Sequence, residues 1–409
     1  MQSFRAVFIA VFVGTALVVA AFLVNQARPD LDTAYETADL VRATGECAQC
    51  HRDETRAIVE QYDISEHNRE GVNCLECHGP IEGQEGIEHR GFRISETITS
   101  ANCARCHEEQ YDQFLRSRHA APAFAAVAGP EPFTDEQMAQ AESHHPGAVN
   151  RPGNALALRE GGSAIESGCA SCHSIGRPNE DGSIGSCTQC HARHQSSVQL
   201  ARQPQTCGQC HMGPDHSQLE IYEESKHGVI FESMRDQMNL AAPPDELGVA
   251  DTPVPTCSTC HMSGLEGADV THDVTERLSW YLFAAVSEQR PSYRQGQVEM
   301  QAMCNICHTS NRTEAFYESA EAVIEATNQK VSAARAIVDS LHAEGLLTPE
   351  PYDEPAEFLY FDLWHYYGRT AKHGAFMGGP DFVQWHGNYE LLRKTAELRE
   401  MARQLRLNR

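Results

Sequence analysis

Apolar residues are arranged in three different ways along this chain. Ala6 to Val24 is an uncharged, mostly apolar run, preceded by Arg5 and followed by Arg28, Asp30 and Asp32. A run of that length just spans a bilayer as a helix and exceeds the usual core of a cleaved leader. It predicts an N-terminal membrane helix over residues 1–27, with Val18-x-Ala20 and Val19-x-Ala21 as cleavage points if the segment is a signal instead. Either form exports the rest of the chain to the periplasmic side of the cytoplasmic membrane. Residues 28–310 show only short periodic stretches. Helices are predicted around Asp53–Tyr62, Glu108–Arg118 and Gln218–Lys226, and Thr134, followed by Asp135 and Glu136, reads as a helix start. Residues 311–409 change character. Phe316, Ala320, Val323, Ala334, Val338 and Leu341 recur near a 3.5-residue spacing, a narrow seam suited to packing within the subunit or against another. Further helices are predicted over Pro355–Ala371 and Tyr389–Leu405. The fold class is mainly α, with long C-terminal helices.

The sparse core of the middle region is explained by its cysteines. Cys-x-x-Cys-His occurs eight times: Cys47/Cys50/His51, Cys74/Cys77/His78, Cys103/Cys106/His107, Cys169/Cys172/His173, Cys187/Cys190/His191, Cys207/Cys210/His211, Cys257/Cys260/His261 and Cys304/Cys307/His308. These motifs use all 16 cysteines, so none remains for a disulfide or a thiol nucleophile. The motif is the attachment signature of c-type haem: each thiol adds across a porphyrin vinyl group and the histidine supplies the proximal ligand. Zinc clusters and disulfide frameworks use paired cysteines but require no histidine after the second. With 21 histidines among 409 residues, each such match has a chance of about 0.05, and eight together come to roughly 10⁻¹⁰. The cofactors are therefore eight covalently bound haem c groups. They supply much of the buried apolar volume, which predicts one continuous multihaem body over 28–310. The three motifs crowded between Cys169 and His211 read as the centre of the array.

The formal net charge is -25, and haem propionates add to it. Phosphate binding wants basic patches, which excludes nucleic acid as a partner. An acidic surface attracts a positively charged redox partner; it also serves plain solubility.

Eight of the 21 histidines are proximal, leaving 13. A haem that only carries electrons usually has both axial positions filled, whereas one that turns over substrate keeps one open. Seven distal histidines are then needed. His119, His227 and His386 are each followed by a small residue that leaves room for a porphyrin face; His272 has Asp273 beside it to orient the ring. His67, His89 and His194 sit close to motifs. His373, before Gly374, competes with His386 for the seventh place. His144, His145, His342 and His365 read as surface or structural residues. His216 follows Asp215 in the turn after His211, too close to ligate its own haem from the far side. An Asp–His pair projecting over a neighbouring open iron suits a proton relay; a turn residue bonded to a propionate is the plainer use.

These motifs, with Cys-His-Met-Gly-Pro-Asp-His at 210–216, Ser-Lys-His-Gly at 225–228, Thr-His-Asp at 271–273 and the Gly378–Gly387 segment, resemble the octahaem hydroxylamine oxidoreductase (HAO) family over roughly residues 45 to 400. The last five motifs also resemble pentahaem nitrite reductases. The resemblance implies that the haem of His173 is catalytic, with Asp215 and His216 over its open side. It implies a homotrimer in which hydroxylamine-oxidising members receive a tyrosine crosslink to that haem from a neighbour's C-terminal region, where Tyr360, Tyr366 and Tyr367 are the candidates here. A pocket tyrosine is also expected, with Tyr281 and Tyr293 as candidates.

Two functions follow. The first is an enzyme acting on a small nitrogen compound, oxidising hydroxylamine or reducing nitrite or hydroxylamine. The second is a membrane-tethered electron conduit with every iron closed. Its redox partner in either case is a cytochrome or the membrane quinone pool.

Overall fold

The computed structural model describes residues 41–408. The Ala6–Val24 run lies outside them. No helix among the described residues is long and apolar enough to cross a membrane. The chain divides into two compact units, one ending at Glu70 and one starting at Gly71.

In the first unit, helix Glu46–Glu54 carries the first motif and helix Arg56–Asp63 follows it. The single helix expected around Asp53–Tyr62 is therefore broken at Thr55, whose φ of -142 is non-helical. Thr55 Oγ1 instead lies 2.7 Å from His51 Nδ1, and fixing the ring outweighs one helical residue. The two helices are clamped by a bidentate pair: Arg52 donates to both oxygens of Asp63 at 2.8 and 2.9 Å, and the Ala43 N–H adds a third bond at 2.7 Å. Ser65 then caps the short helix Glu66–Arg69, which contains His67.

The second unit holds the other seven motifs. Each is a single turn of helix, closed by a bond from the histidine N–H to the first cysteine's carbonyl in, for example, His107 (3.0 Å), His211 (3.0 Å) and His308 (2.9 Å). One turn brings residues i and i+4 to the same side, which is the spacing a thioether and an axial ligand need. Local sequence starts several of these turns. Asn73 with Glu76, Thr99 with Asn102 and Thr256 with Thr259 form capping boxes directly before Cys74, Cys103 and Cys257. Strand is scarce: among the described residues the only sheet is the hairpin Ile87–His89 with Phe92–Ile94.

The C-terminal region is built on the 34-residue helix Ser310–Ala343. Its buried positions are Thr313, Tyr317, Ala320, Ile324, Thr327, Val331, Ala334, Val338 and Leu341, an alternation of four and three residues. That is the 3.5-residue seam expected, but Tyr317 and Ile324 take the inward places assigned to Phe316 and Val323. The lower part of the seam, from Val331, packs within the chain on Leu359, Leu363 and on Leu391 and Leu398 of the terminal helix Glu390–Leu407. The expected helix Pro355–Ala371 is three pieces: Pro355–Phe361, a π-helical stretch Asp362–Gly368, and Arg369–Met377. Gly378, at φ 71, ends the last of these.

Candidate active site at the fourth motif

The fourth motif is reached through a π-helical turn, Ile165–Cys169, before helix Ala170–His173. The described residues contain two further π segments, Asp362–Gly368 and Gln384–Tyr389. Such turns hold an extra residue and mark functional sites more often than ordinary helix does. His173 Nδ1 lies 2.6 Å from the carbonyl of Ala123. A carbonyl only accepts, so the ring hydrogen is on Nδ1 and the Nε2 lone pair is left for a metal. The backbone behind it is tightly packed: a Cβ on Gly176 would stand 1.9 Å from the Ala120 carbonyl oxygen, so the close approach of this turn to the His119–Ala120 segment requires glycine.

The turn Gly213–His216 leaves the sixth motif with Gly213 at φ 82. Glu220 accepts from the Gly213 N–H at 2.8 Å, and Thr370 donates to the Pro214 carbonyl at 3.2 Å. The turn is thereby pinned to helix Arg369–Met377. His216 becomes a hub, its ring centre 6.5 Å from His173, 6.4 Å from His211, 6.4 Å from His365 and 5.2 Å from Phe283. Its Nδ1 is 2.6 Å from Asp215 Oδ2. Burial raises the Asp215 carboxyl, but the His216 contact and the nearby His365 outweigh it and hold it below the usual range.

The cysteines differ in how far the fold encloses them. Free thiols of different motifs lie side by side at the centre of the array, Cys207 with Cys257 and Cys172 with Cys210. Burial pushes the Cys190 thiol there up to about 11. Cysteines away from the centre are more open to solvent. Cys106 and Cys307 are exposed, as is Cys77, and Cys50 is only half-buried in the first unit. The contrast is sharpest within the third motif, where Cys103 lies beside Cys187 while Cys106 faces solvent. All of them are the second cysteine of a motif outside the crowded centre. A thioether reaches only one edge of a porphyrin, so attachment at the rim of the array does not require a buried sulfur.

The other histidines can be tested for fit to haem. An imidazole nitrogen binds a first-row metal at about 2 Å, so two rings on opposite sides of one iron have centres about 6 Å apart. His119–His211 at 5.8 Å, His191–His272 at 6.4 Å and His227–His308 at 6.1 Å match that spacing. Burial lowers the pKa of His194, and the nearby His78 adds to that shift. Burial also pushes His119 down to about 3 and His211, His261 and His272 down to about 4, which keeps them in the neutral form that ligates metal. The residues fit covalent haem held between paired histidines. His216 stands at a similar spacing from His173, His211 and His365, and what sets it apart is that its Nδ1 is tied to Asp215 and its ring has three imidazole neighbours.

The remaining candidates are dispersed. His89 is in the hairpin. His386 has an exposed side chain with Nε2 3.1 Å from Asp381. His373, its rival, is buried with its ring 4.7 Å from Phe283. His145 is buried with Nε2 2.9 Å from the Leu115 carbonyl, a structural use. Neither expected pocket tyrosine stands at His216. Tyr281 lies between Arg118 and Arg290, and Tyr293 donates to Glu321 at 2.6 Å. Phe283 occupies that place. Tyr360 and Tyr367 pack on the C-terminal core, while the Tyr366 ring is 5.6 Å from His365.

Sequence reasoning passed over His365 and Arg369. His365 Nδ1 is 3.7 Å from the same Asp215 oxygen that His216 contacts, and Arg369 Nη1 is 2.9 Å from His365 Nε2. The only local signal was their four-residue spacing in an aromatic helix.

Turns that set two cysteines and a histidine on one face, with paired buried imidazoles, define a multihaem c-type cytochrome. A family profile described as "Seven times multi-haem cytochrome CxxCH" matches residues 69–355, and one described as "Cytochrome c554 and c-prime" matches 22–79. The chain belongs to the first of these families, the multihaem c-type cytochromes. Its sequence is 23% identical over 449 positions to a Kuenenia stuttgartiensis protein named "Probable nitrite reductase-hydroxylamine oxidoreductase fusion protein". That match covers 88% of this chain and 47% of the other, so the chain spans about half the length of this curated relative. Its fold is similar to a solved "hypothetical multiheme protein" (TM-score 0.77, 22% identity, 93% of this chain and 99% of that one). It is also similar to a chain of a Kuenenia stuttgartiensis "reducing HAO-like protein complex" (TM-score 0.66, 22% identity, 88% and 84%).

Proposed function

We propose that this protein is an exported octahaem oxidoreductase that acts on small nitrogen compounds at the haem held by Cys169, Cys172 and His173. The reaction is hydroxylamine oxidation or, in the opposite sense, reduction of nitrite or hydroxylamine. The observation that carries this reading is the placement beside His173 of His216 with its Nδ1 tied to the Asp215 carboxylate, an acid–base pair at no other motif histidine described above. The names of the relatives point to the same chemistry.

When bound, the haem at His173 supplies an iron that takes the substrate nitrogen and exchanges electrons with it, and the remaining haems supply the electron route. The chain's own residues do the rest. Ala123 fixes the His173 tautomer through Nδ1. Asp215 holds His216 Nδ1, leaving Nε2 as the ring's remaining proton site, which accepts protons during oxidation and donates them during reduction. Phe283 and His211 wall the space around that ring. A cytochrome or quinone partner completes the circuit.

The test is anaerobic. Hydroxylamine added to oxidised protein, or nitrite to dithionite-reduced protein, should change the haem Soret and α bands with turnover in at least one sense. Inert spectra in both would refute the enzyme.

A further inference from the structure

We propose that Arg369 and His365 form a positioning arm that fixes Asp215 at the same carboxylate oxygen that His216 contacts. The inference deepens the function proposed above and rests on it. Arg369 is held before it reaches His365: its Nε donates to the Phe283 carbonyl at 2.9 Å, and its guanidinium lies 5.2 Å from the Phe283 ring centre and 4.9 Å from Trp364. A guanidinium has only donors, so His365 Nε2, at 2.9 Å from Nη1, must be the bare nitrogen. The single ring hydrogen is then on Nδ1, which faces Asp215 Oδ2 at 3.7 Å. Phe361 stacks on the imidazole at 4.2 Å and 19° and fixes its plane, while the Arg369 bond fixes which nitrogen points toward Asp215. Burial, with Arg369 beside it, pushes His365 down to about 3 and keeps it neutral.

Asp215 Oδ2 therefore lies between two imidazoles, His216 at 2.6 Å and His365 at 3.7 Å. The close one is the proton site; the other orients the carboxylate and closes to hydrogen-bond distance by a shift of under about 1 Å. A carboxylate held by two imidazoles cannot swing away when His216 changes charge. Its task is that of a partner that orients a ligand or base without touching substrate. Arg369 also ties down Phe283, whose ring packs on His216, so both supports of the relay end at one guanidinium.

Two replacements separate orientation from mere filling of space. Asparagine at 365 places an amide donor where Nδ1 stands; glutamine places one where Nε2 stands. In purified holoenzyme with all haems attached, His365→Asn should keep kcat within about 5-fold, whereas His365→Gln and Arg369→Gln should lose roughly 10- to 100-fold with KM little changed. The accompanying readout is solvent isotope dependence of kcat, which should rise in the glutamine variants as proton delivery becomes limiting. Equal losses in His365→Asn and His365→Gln, or none in either, overturn the arm. His216→Ala serves as the control: if it leaves turnover intact, it is the proposed function that fails.

Discussion

Asp215 Oδ2 is 2.6 Å from His216 Nδ1 and 3.7 Å from His365 Nδ1, so residues far apart in sequence meet at a single carboxylate oxygen. Removing its charge while keeping its shape should be costly. Asp215→Asn is expected to lower kcat by about 100-fold or more, as when a catalytic imidazole loses its orienting carboxylate. Mass spectrometry of the intact variant should show the wild-type haem content. Undiminished turnover would remove Asp215 from the relay.

His227 and His308 have ring centres 6.1 Å apart. If they share an iron, His227→Ala opens that iron without touching its thioethers. The ferric spectrum should gain one high-spin, cyanide-binding haem, while the covalent haem mass is unchanged. An unaltered low-spin spectrum would show that another residue is the ligand.

A side chain at Gly176 has nowhere to go, because its Cβ would lie 1.9 Å from the Ala120 carbonyl oxygen. Backbone cannot yield as a flexible side chain does, so Gly176→Ala should destabilise the fold by roughly 2–4 kcal/mol. Thermal melting followed by circular dichroism checks this. The same change at Gly161, where a Cβ meets nothing within 4 Å but φ is 95, should cost less, about 1 kcal/mol.

Acid should loosen the first unit early. Burial raises the Asp63 carboxyl, but the bonds from Arg52 and the Ala43 N–H outweigh it, and the net shift is downward. A carboxyl depressed in the folded state contributes stability above its unfolded pKa of about 4 and loses it as pH falls through the folded value. Asp63→Asn should therefore be destabilising at pH 7 by about 1–3 kcal/mol, and the difference from wild type should shrink below about pH 4. Amide exchange over residues 43–63 reads it. A gap that does not narrow at all between pH 5 and pH 3 would contradict the account.

Much of this was legible because haem attachment writes itself locally. The cysteine and histidine spacing is one helical turn, and the caps at Asn73, Thr99 and Thr256 sit beside it. Thr134 also caps its helix as expected, with Gln137 completing the box. How deeply each motif sits was not legible, since Cys106 and Cys307 carry the same local signature as the enclosed Cys190. Nor was the phase of the long seam: Phe316 and Tyr317, like Val323 and Ile324, are adjacent apolar residues. Which of each pair turns inward is decided by the elements packed against the helix. The break at Thr55 was hidden too, because it depends on a bond to the His51 ring. His365 escaped for a related reason. Nothing around it in sequence records that a π turn brings it to Asp215. The same holds for Phe283, which stands where a tyrosine was sought.

The sense of the reaction has its own test. Tyr366 adjoins His365, yet the resemblance assigns any crosslink to a neighbouring copy. Proteolysis of the holoenzyme should show whether a tyrosine peptide remains joined to the haem peptide carrying Cys169 and Cys172. A joined peptide supports the hydroxylamine-oxidising sense; its absence supports reduction.

The central claim is that the iron at His173 alone is open to substrate. Low-temperature electron paramagnetic resonance of the fully oxidised protein, with and without cyanide, measures this directly. The account predicts one high-spin iron per chain that becomes low-spin on adding cyanide, with the remaining signals unmoved. Uniformly low-spin irons that ignore cyanide would contradict it and leave an electron conduit.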